Sequence, residues 1–188
     1  MIDIKKRRRQ GVTNYRKRVK LLKSGLPRLV VRKSNTGIIM QIVEYSKTAD
    51  KIVVGVDSTK LSEIGWNPKA NAPTAYLTGM YIAKQAKAKA GSIAGQDIIL
   101  DIGLYRPTKN SVVFAAARGA IDGGLKIRGT INVDNDRING SAIAKYAEKM
   151  FGEDKDKFNV HFSSYLSKKI DVKQLDKVFE QVKKKLND

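Results

Sequence analysis

Residues 27–35 read Pro-Arg-Leu-Val-Val-Arg-Lys-Ser-Asn. Three apolar residues, two of them β-branched, lie between arginines and run into a Ser-Asn turn signal, which predicts a strand. Two more strand-like segments follow at short intervals, at 38–45 and 51–57. Connections this short join antiparallel neighbours, so the spacing predicts a meander of three. In the second segment Ile38, Met40 and Ile42 alternate with Ile39, Gln41 and Val43. Both of its faces are therefore mostly apolar, which places it inside a sheet. A chain that begins its body with such a meander must cover the sheet with what comes after.

What comes after alternates. Residues 58–71 read as a loop around Gly65-Trp66-Asn67-Pro68, the lone tryptophan being either a plug over the sheet or a base-stacking platform. Pro73 suits the first turn of a helix with Tyr76, Leu77, Met80, Tyr81 and Ala83 as its core face, Lys84, Lys87 and Lys89 outward and Gly91 at its end. A fourth strand lies at 96–103, and an alanine-rich helix at 112–123. Gly119, Gly123 and Gly124 either let that helix pack closely or end it. The pattern predicts an α/β fold, a mixed β-sheet with helices packed on it. Further on, Asp134-Asn135-Asp136 reads as a turn. Residues 141–151 form a helix with Ile143, Tyr146, Ala147 and Met150 inward, ending at Gly152. Asp171 caps a last helix whose apolar face is Val172, Leu175, Val178, Phe179, Val182 and Leu186. The expected division is a basic N-terminal arm with a short helix (1–26), an α/β core (27–131) and a helical C-terminal extension (132–188).

Charge says what such a body is for. The 188 residues carry 37 Lys and Arg against 18 acids, a net charge of +19, which implies a polyanionic partner. Thirteen of those cations fall in the first 35 residues, against Asp3 alone. The run Lys5-Lys6-Arg7-Arg8-Arg9 repels itself and stays extended until an anion neutralises it; taken alone it is also compatible with a solvated tail or a targeting signal. Next, Tyr15, Val19 and Leu22 recur at helical spacing beside a basic stripe of Arg16, Lys20 and Lys23. Thr13 is placed to cap this helix, Gly25 to follow it and Pro27 to stop it. One apolar and one cationic stripe suit a helix lying between a protein body and a phosphate backbone. The apolar stripe is short and lacks Trp and Phe, which favours nucleic acid over a membrane surface.

The remaining chemistry is sparse. With no cysteine there is no disulfide, thiolate metal site or cysteine nucleophile. No apolar run is long enough to cross a bilayer and no secretory signal opens the chain, so a cytosolic location is expected. The single histidine, His161, has no evident partner for catalysis, and no phosphate-loop, dinucleotide or zinc-helix motif occurs. No catalytic residue, metal or cofactor is expected. The enzymatic rival is a two-metal nuclease, because a three-strand meander followed by helix, strand and helix resembles the ribonuclease-H-like arrangement. Such a nuclease needs a carboxylate in the middle of its first strand, where this chain has Leu29-Val30-Val31. Asp57 and Asp101 read instead as capping or loop-bracing groups.

Several segments carry a family resemblance. The arginine run followed by YRKRVKLLKSGLPRLVVRKSN resembles the start of large-subunit ribosomal protein L-eighteen, in the form shared by archaea and eukaryotes. The likeness continues through Asn71–Gly79, Leu100–Leu104, the stretch from Val113 to Leu125, Arg137–Tyr146 and Phe162–Leu166, and the chain's length suits the archaeal type. The resemblance implies a ribonuclease-H-like α/β fold without catalysis. It implies binding to 5S rRNA, its attachment to 23S rRNA in the central protuberance, and contact with neighbouring large-subunit proteins in the cytoplasmic ribosome. Carried onto this chain, the arm (Lys5, Lys6, Arg7, Arg8, Arg9, Arg16, Arg18, Lys20 and Lys23) and Arg28, Arg32, Lys33, Ser34 and Asn35 contact RNA. Tyr15 and Tyr105 are each either a stacking platform or a buried ring. The chain departs from the family pattern at Thr36-Gly37 and at Ala142.

Overall fold

The meander is present, and it supplies three strands of a five-stranded sheet. β1 (Arg28–Lys33), β2 (Ile38–Glu44) and β3 (Lys51–Asp57) run antiparallel in sequence order. β4 (Asp97–Asp101) then pairs parallel with β1, and β5 (Lys126–Arg128) parallel with β4. The strand order is β3-β2-β1-β4-β5, a mixed five-stranded sheet in the ribonuclease-H-like arrangement. The computed structural model describes residues 6–47, 49–89 and 91–187.

Helices α1 (Lys6–Arg9) and α2 (Tyr15–Leu22) precede the sheet, and α3 (Ala72–Lys89), α4 (Gly91–Ala94) and α5 (Val112–Asp122) are interleaved with its later strands. The extension consists of α6 (Asn135–Ile138), α7 (Ser141–Glu153), α8 (Lys155–His161), α9 (Ser163–Leu166) and α10 (Leu175–Asn187). Strand alternation sends Leu29, Val31, Met40, Ile42, Val54 and Ile98 to one face, where α3 and α5 cover them in a continuous core. A second core joins Leu61, Trp66, Tyr76, Leu77 and Met80 to Phe158, Phe162, Leu175, Phe179 and Val182 of the extension.

Helix α3 lies in both cores, and this changes the expected face. Ala72, Ala75, Ile82, Ala83 and Ala86 pack toward the sheet, whereas Tyr76, Leu77 and Met80 pack toward the extension. Over residues 72–83 the helix is buried on both sides, and the small residues on its sheet side permit a close approach. That approach is closest against α5. A Cβ added at Gly119 would stand 2.0 Å from the Tyr76 carbonyl oxygen, and one at Gly79 would stand 2.1 Å from that of Ala116. Gly119 thus serves close packing, while Gly124, at φ +100°, follows the helix end.

Trp66 is a plug, 1% exposed, donating from Nε1 to Thr74 Oγ1 at 2.9 Å and meeting Phe179 edge-on. Its seat is the second core rather than the sheet. Other expectations need correction. The first half of the 58–71 loop is a 3₁₀ segment, Ser58–Ile64, capped by Asp57. Gly91 does not merely end α3 but opens α4. Tyr146 points outward, because Ile143, Ala144, Ala147, Met150 and Phe151 make the inner stripe of α7. Gly152 lies inside α7, which ends where Asp154 caps α8 through its Oδ1. The Asp134–Asp136 turn continues into α6. The last helix keeps its expected face, with Asp171 capping the turn that leads into it.

Candidate nucleic-acid interface

Helices α3 and α5 leave the opposite face of the sheet uncovered. Arg28, Val30 and Arg32 of β1 point there, beside Ile39, Gln41 and Val43 of β2 and Ile99 and Asp101 of β4. The arm crosses this face and leaves a cleft of about 740 Å³ between itself and the strands. Arg7, Lys17, Arg18, Arg28, Arg32 and Lys33 line the cleft, against Asp50 and Asp101. Six cations facing two carboxylates in a partly enclosed space raise the local positive potential well above that of scattered surface lysines.

Those two carboxylates thread three of the arginines into one chain. Asp50, in the loop before β3, places Oδ2 2.8 Å from Arg18 Nη2 and 2.8 Å from Arg28 Nη2. The Arg28 contact is off the angle of a hydrogen bond, so it is a Coulombic pair. Arg28 Nη1 then donates to Asp101 Oδ2 at 3.1 Å, and Arg32 Nη2 donates to Asp101 Oδ1 at 3.0 Å. Arg32 Nη1 also donates to the Asp101 carbonyl at 2.7 Å. Burial alone would raise the Asp101 carboxyl. The Arg32 guanidinium, the Gly103 N–H and Arg28 outweigh it and hold that carboxyl below the usual carboxylate range. Gly103 closes the arrangement: its N–H donates to Asp101 Oδ1, its carbonyl accepts from Lys17 Nζ at 3.1 Å, and at φ +62° a Cβ there would stand 2.9 Å from the Arg32 guanidinium carbon.

Helix α2 keeps its basic stripe outward but differs from expectation in its cap and in the residues on its inner side. Asn14, rather than Thr13, is the N-cap, its Oδ1 accepting from the Lys17 N–H at 3.0 Å. Lys17, Arg18 and Leu21 face the sheet, and Val19 is 51% exposed. Of the expected apolar stripe, Tyr15 and Leu22 are half-buried and Val19 stands out, while Lys17 and Arg18 bond on the inner side. The basic stripe of Arg16, Lys20 and Lys23 is exposed on the solvent side.

The predicted site residues thus fall into groups. Arg7, Arg18, Arg28, Arg32 and Lys33 meet at the cleft. Arg28 is only 3% exposed and faces Asp50 and Asp101, so it braces the platform rather than fronting solvent. Arg16, Lys20 and Lys23 lie on the outer side of α2, and Arg8 and Arg9 are exposed in α1. Ser34 builds the β1–β2 turn: its Oγ accepts from the N–H groups of Thr36 and Gly37, leaving Asn35 exposed at the tip. Tyr15 is half-buried; Tyr105 lines the cleft with its hydroxyl donating to the Lys33 carbonyl at 2.6 Å. Lys5 and the side chain of Lys6 lie outside the described residues. Lys17, Asp50 and Gly103 were not foreseen. Only Asp101, an acid closing an apolar strand, carried a local signal of a buried charge needing partners.

Among the described residues no three acids or histidines come together as a metal-binding group. The carboxylates at the centre of the open face already hold three guanidiniums, and a divalent cation would have to displace them. His161 is exposed, meeting Phe162 and Tyr146 edge-on.

A ribonuclease-H-like sheet whose open face is crossed by a cationic helix, with its acids neutralised by arginine, defines a polyanion-binding α/β protein. Residues 3–97 match the family described as ribosomal large subunit proteins 60S L5 and 50S L18. That is half of the chain, spanning the arm, the meander and α3, and the chain belongs to this family. It is an rRNA-binding component of the large ribosomal subunit, from a family whose role is structural.

Proposed function

We propose that the chain binds 5S rRNA and attaches it to 23S rRNA in the central protuberance, as an archaeal-type, non-catalytic member working in cytoplasmic ribosomes beside other large-subunit proteins. The observation that carries this reading is the cationic surface formed by α2 and the cleft, with Arg16, Lys20 and Lys23 outward and Arg32 and Lys33 at the rim. Arginine grips a phosphate with two parallel bonds, lysine as a point charge, and each contact releases counterions from the RNA. The deep major groove of an A-form helix is closed to side chains, so selection rests on shape and on splayed loops, where Asn35 and Tyr105 are the groups presented at the turn and the cleft. In this reading residues 27–131 are the platform, 1–26 the RNA-gripping arm, and 132–188 the part facing neighbouring proteins.

Recovering the tagged chain from its own cells and sequencing the bound RNA tests the proposal. Enrichment of 5S rRNA supports it, and recovery of messenger or transfer RNA in proportion to abundance contradicts it. Incubating the protein with labelled RNA and Mg²⁺ or Mn²⁺ tests the non-catalytic part: cleavage that disappears in Asp101→Asn would restore the nuclease reading.

A further inference from the structure

An acid at the centre of an RNA-binding surface ought to weaken binding, yet Asp50 sits there with one carboxylate oxygen between two arginines. We propose that Asp50 is a positioning residue for RNA: it clamps α2 to the sheet and so holds Arg16, Lys20 and Lys23 outward as one phosphate-binding stripe. The inference rests on the RNA-binding reading above and assigns a role to an acid that cannot itself hold a phosphate.

The argument begins with the helix. An isolated helix needs about 12–15 residues to be even marginally stable in water. α2 has eight residues, none of them buried. Tyr15, Leu21 and Leu22 are half-buried, so apolar contact assists, but no fully buried side chain anchors the helix on the sheet. Its anchors include the Arg18–Asp50 pair at 2.8 Å and the Lys17–Gly103 bond at 3.1 Å, both from one side of the helix. Residues 17, 18 and 21 share that side at 3.6 residues per turn, which leaves 16, 20 and 23 facing away. Clamping the first set thus orients the second.

Asp50 is suited to the task because it is itself fixed. Its Oδ2 also faces Arg28, which is 3% exposed and bound on its other side to Asp101 of β4. Asp50 Oδ1 is buried without a hydrogen-bond partner, so the carboxylate is not simply solvated. A half-buried acid set among arginines, where an amide or a lysine would raise the net positive charge, is explained by the geometry it imposes.

The test uses the full chain, a 5S rRNA transcript and three variants. Asp50→Asn keeps the shape and raises the net charge by one, and Glu63→Gln makes the same charge change at an exposed site paired with Lys60. The clamp predicts that Asp50→Asn weakens binding about tenfold or more at 100 mM salt, and that the slope of log affinity against log salt becomes shallower by about 2–3, the share of three phosphate contacts. Glu63→Gln keeps the wild-type slope, and Asp50→Glu restores much of the lost slope. In the free protein, hydrogen exchange at residues 19–23 accelerates in Asp50→Asn while β1 and β2 stay protected. Binding by Asp50→Asn as tight as wild type with an unchanged slope overturns the proposal. Should that variant fail to fold, Arg18→Gln leaves the Asp50–Arg28 pair in place. Its slope is expected to fall by clearly more than the ~0.9 of one lost cation, and a fall of only that amount overturns the clamp. If wild-type protein does not bind 5S rRNA at all, the proposed function fails instead.

Discussion

Arg28 of β1 and Asp101 of β4 face each other across a parallel strand pair, Nη1 to Oδ2 at 3.1 Å, on the sheet face that α3 and α5 do not cover. The pair makes one face of the sheet polar at its centre while the other carries the apolar core. It also joins α2, β1 and β4 through Asp50 and Arg32, so the arm's position is coupled to the strands that support it.

Removing the Asp101 carboxylate leaves Arg28 buried with only Asp50 to offset it, and Arg32 with no carboxylate. Breaking a buried pair from one side costs about 3–5 kcal/mol. Asp101→Asn is therefore expected to lower unfolding stability by about 3 kcal/mol, read as a shift of the urea midpoint at unchanged slope. A loss under about 0.5 kcal/mol would mean that the chain of pairs contributes nothing net.

The same carboxyl sets a pH dependence. Its folded pKa lies below its unfolded value, so its stabilisation is present in full above the unfolded value of about 4 and is lost as pH falls through the folded one. Melting temperature should fall steeply on the acid side of pH 4, and Asp101→Asn should flatten that limb. An identical acid limb in both proteins would assign the transition to other carboxylates.

The α3–α5 crossing depends on two missing side chains. A Cβ at Gly119 meets backbone at 2.0 Å, and backbone cannot yield as a flexible side chain can. Overpacking of this kind costs typically 1–3 kcal/mol, and Gly119→Ala is expected at or beyond the upper end. A Cβ at Gly152, in α7, would meet nothing within 4 Å, so Gly152→Ala should stabilise by up to about 1 kcal/mol. Thermal melts of the two variants should move in opposite directions.

Phe179 fastens the extension to α3 by packing on Trp66 and Tyr76. Phe179→Ala should cost about 3–5 kcal/mol. Because Trp66 is the only tryptophan, its emission should shift to longer wavelength if the variant loosens this seam. Unchanged emission together with a large loss of stability would place the damage elsewhere.

The parts of the fold that were legible in advance are those whose signal is local. The alternation in β2, the cap at Asp171 and the apolar face of α10 each lie within one segment, and each element formed where that pattern placed it. β5 was not legible because Lys126–Arg128 offers three residues and becomes a strand only beside β4. The two faces of α3 were merged into one because periodicity shows which residues are buried, not against what. The inward contacts of Lys17 and Arg18 on α2 were missed for a similar reason. The acids that draw Arg18 and Arg32 inward stand 32 and 69 residues away, and a contact over that distance leaves no mark near either partner. At the site, the cationic residues could be read from composition and Asp101 as a loop-bracing acid, but Asp50 could not.

The central claim is that these cations are arranged to hold a particular folded RNA. Its most direct test is the affinity of the purified chain for 5S rRNA between 50 and 200 mM salt, with and without excess transfer RNA as competitor. With roughly 6–10 phosphates engaged, affinity should fall about 10³–10⁵-fold over that range, and the competitor should leave most of the 5S rRNA bound. Displacement by an equal mass of transfer RNA, or an affinity indifferent to salt, would contradict the account.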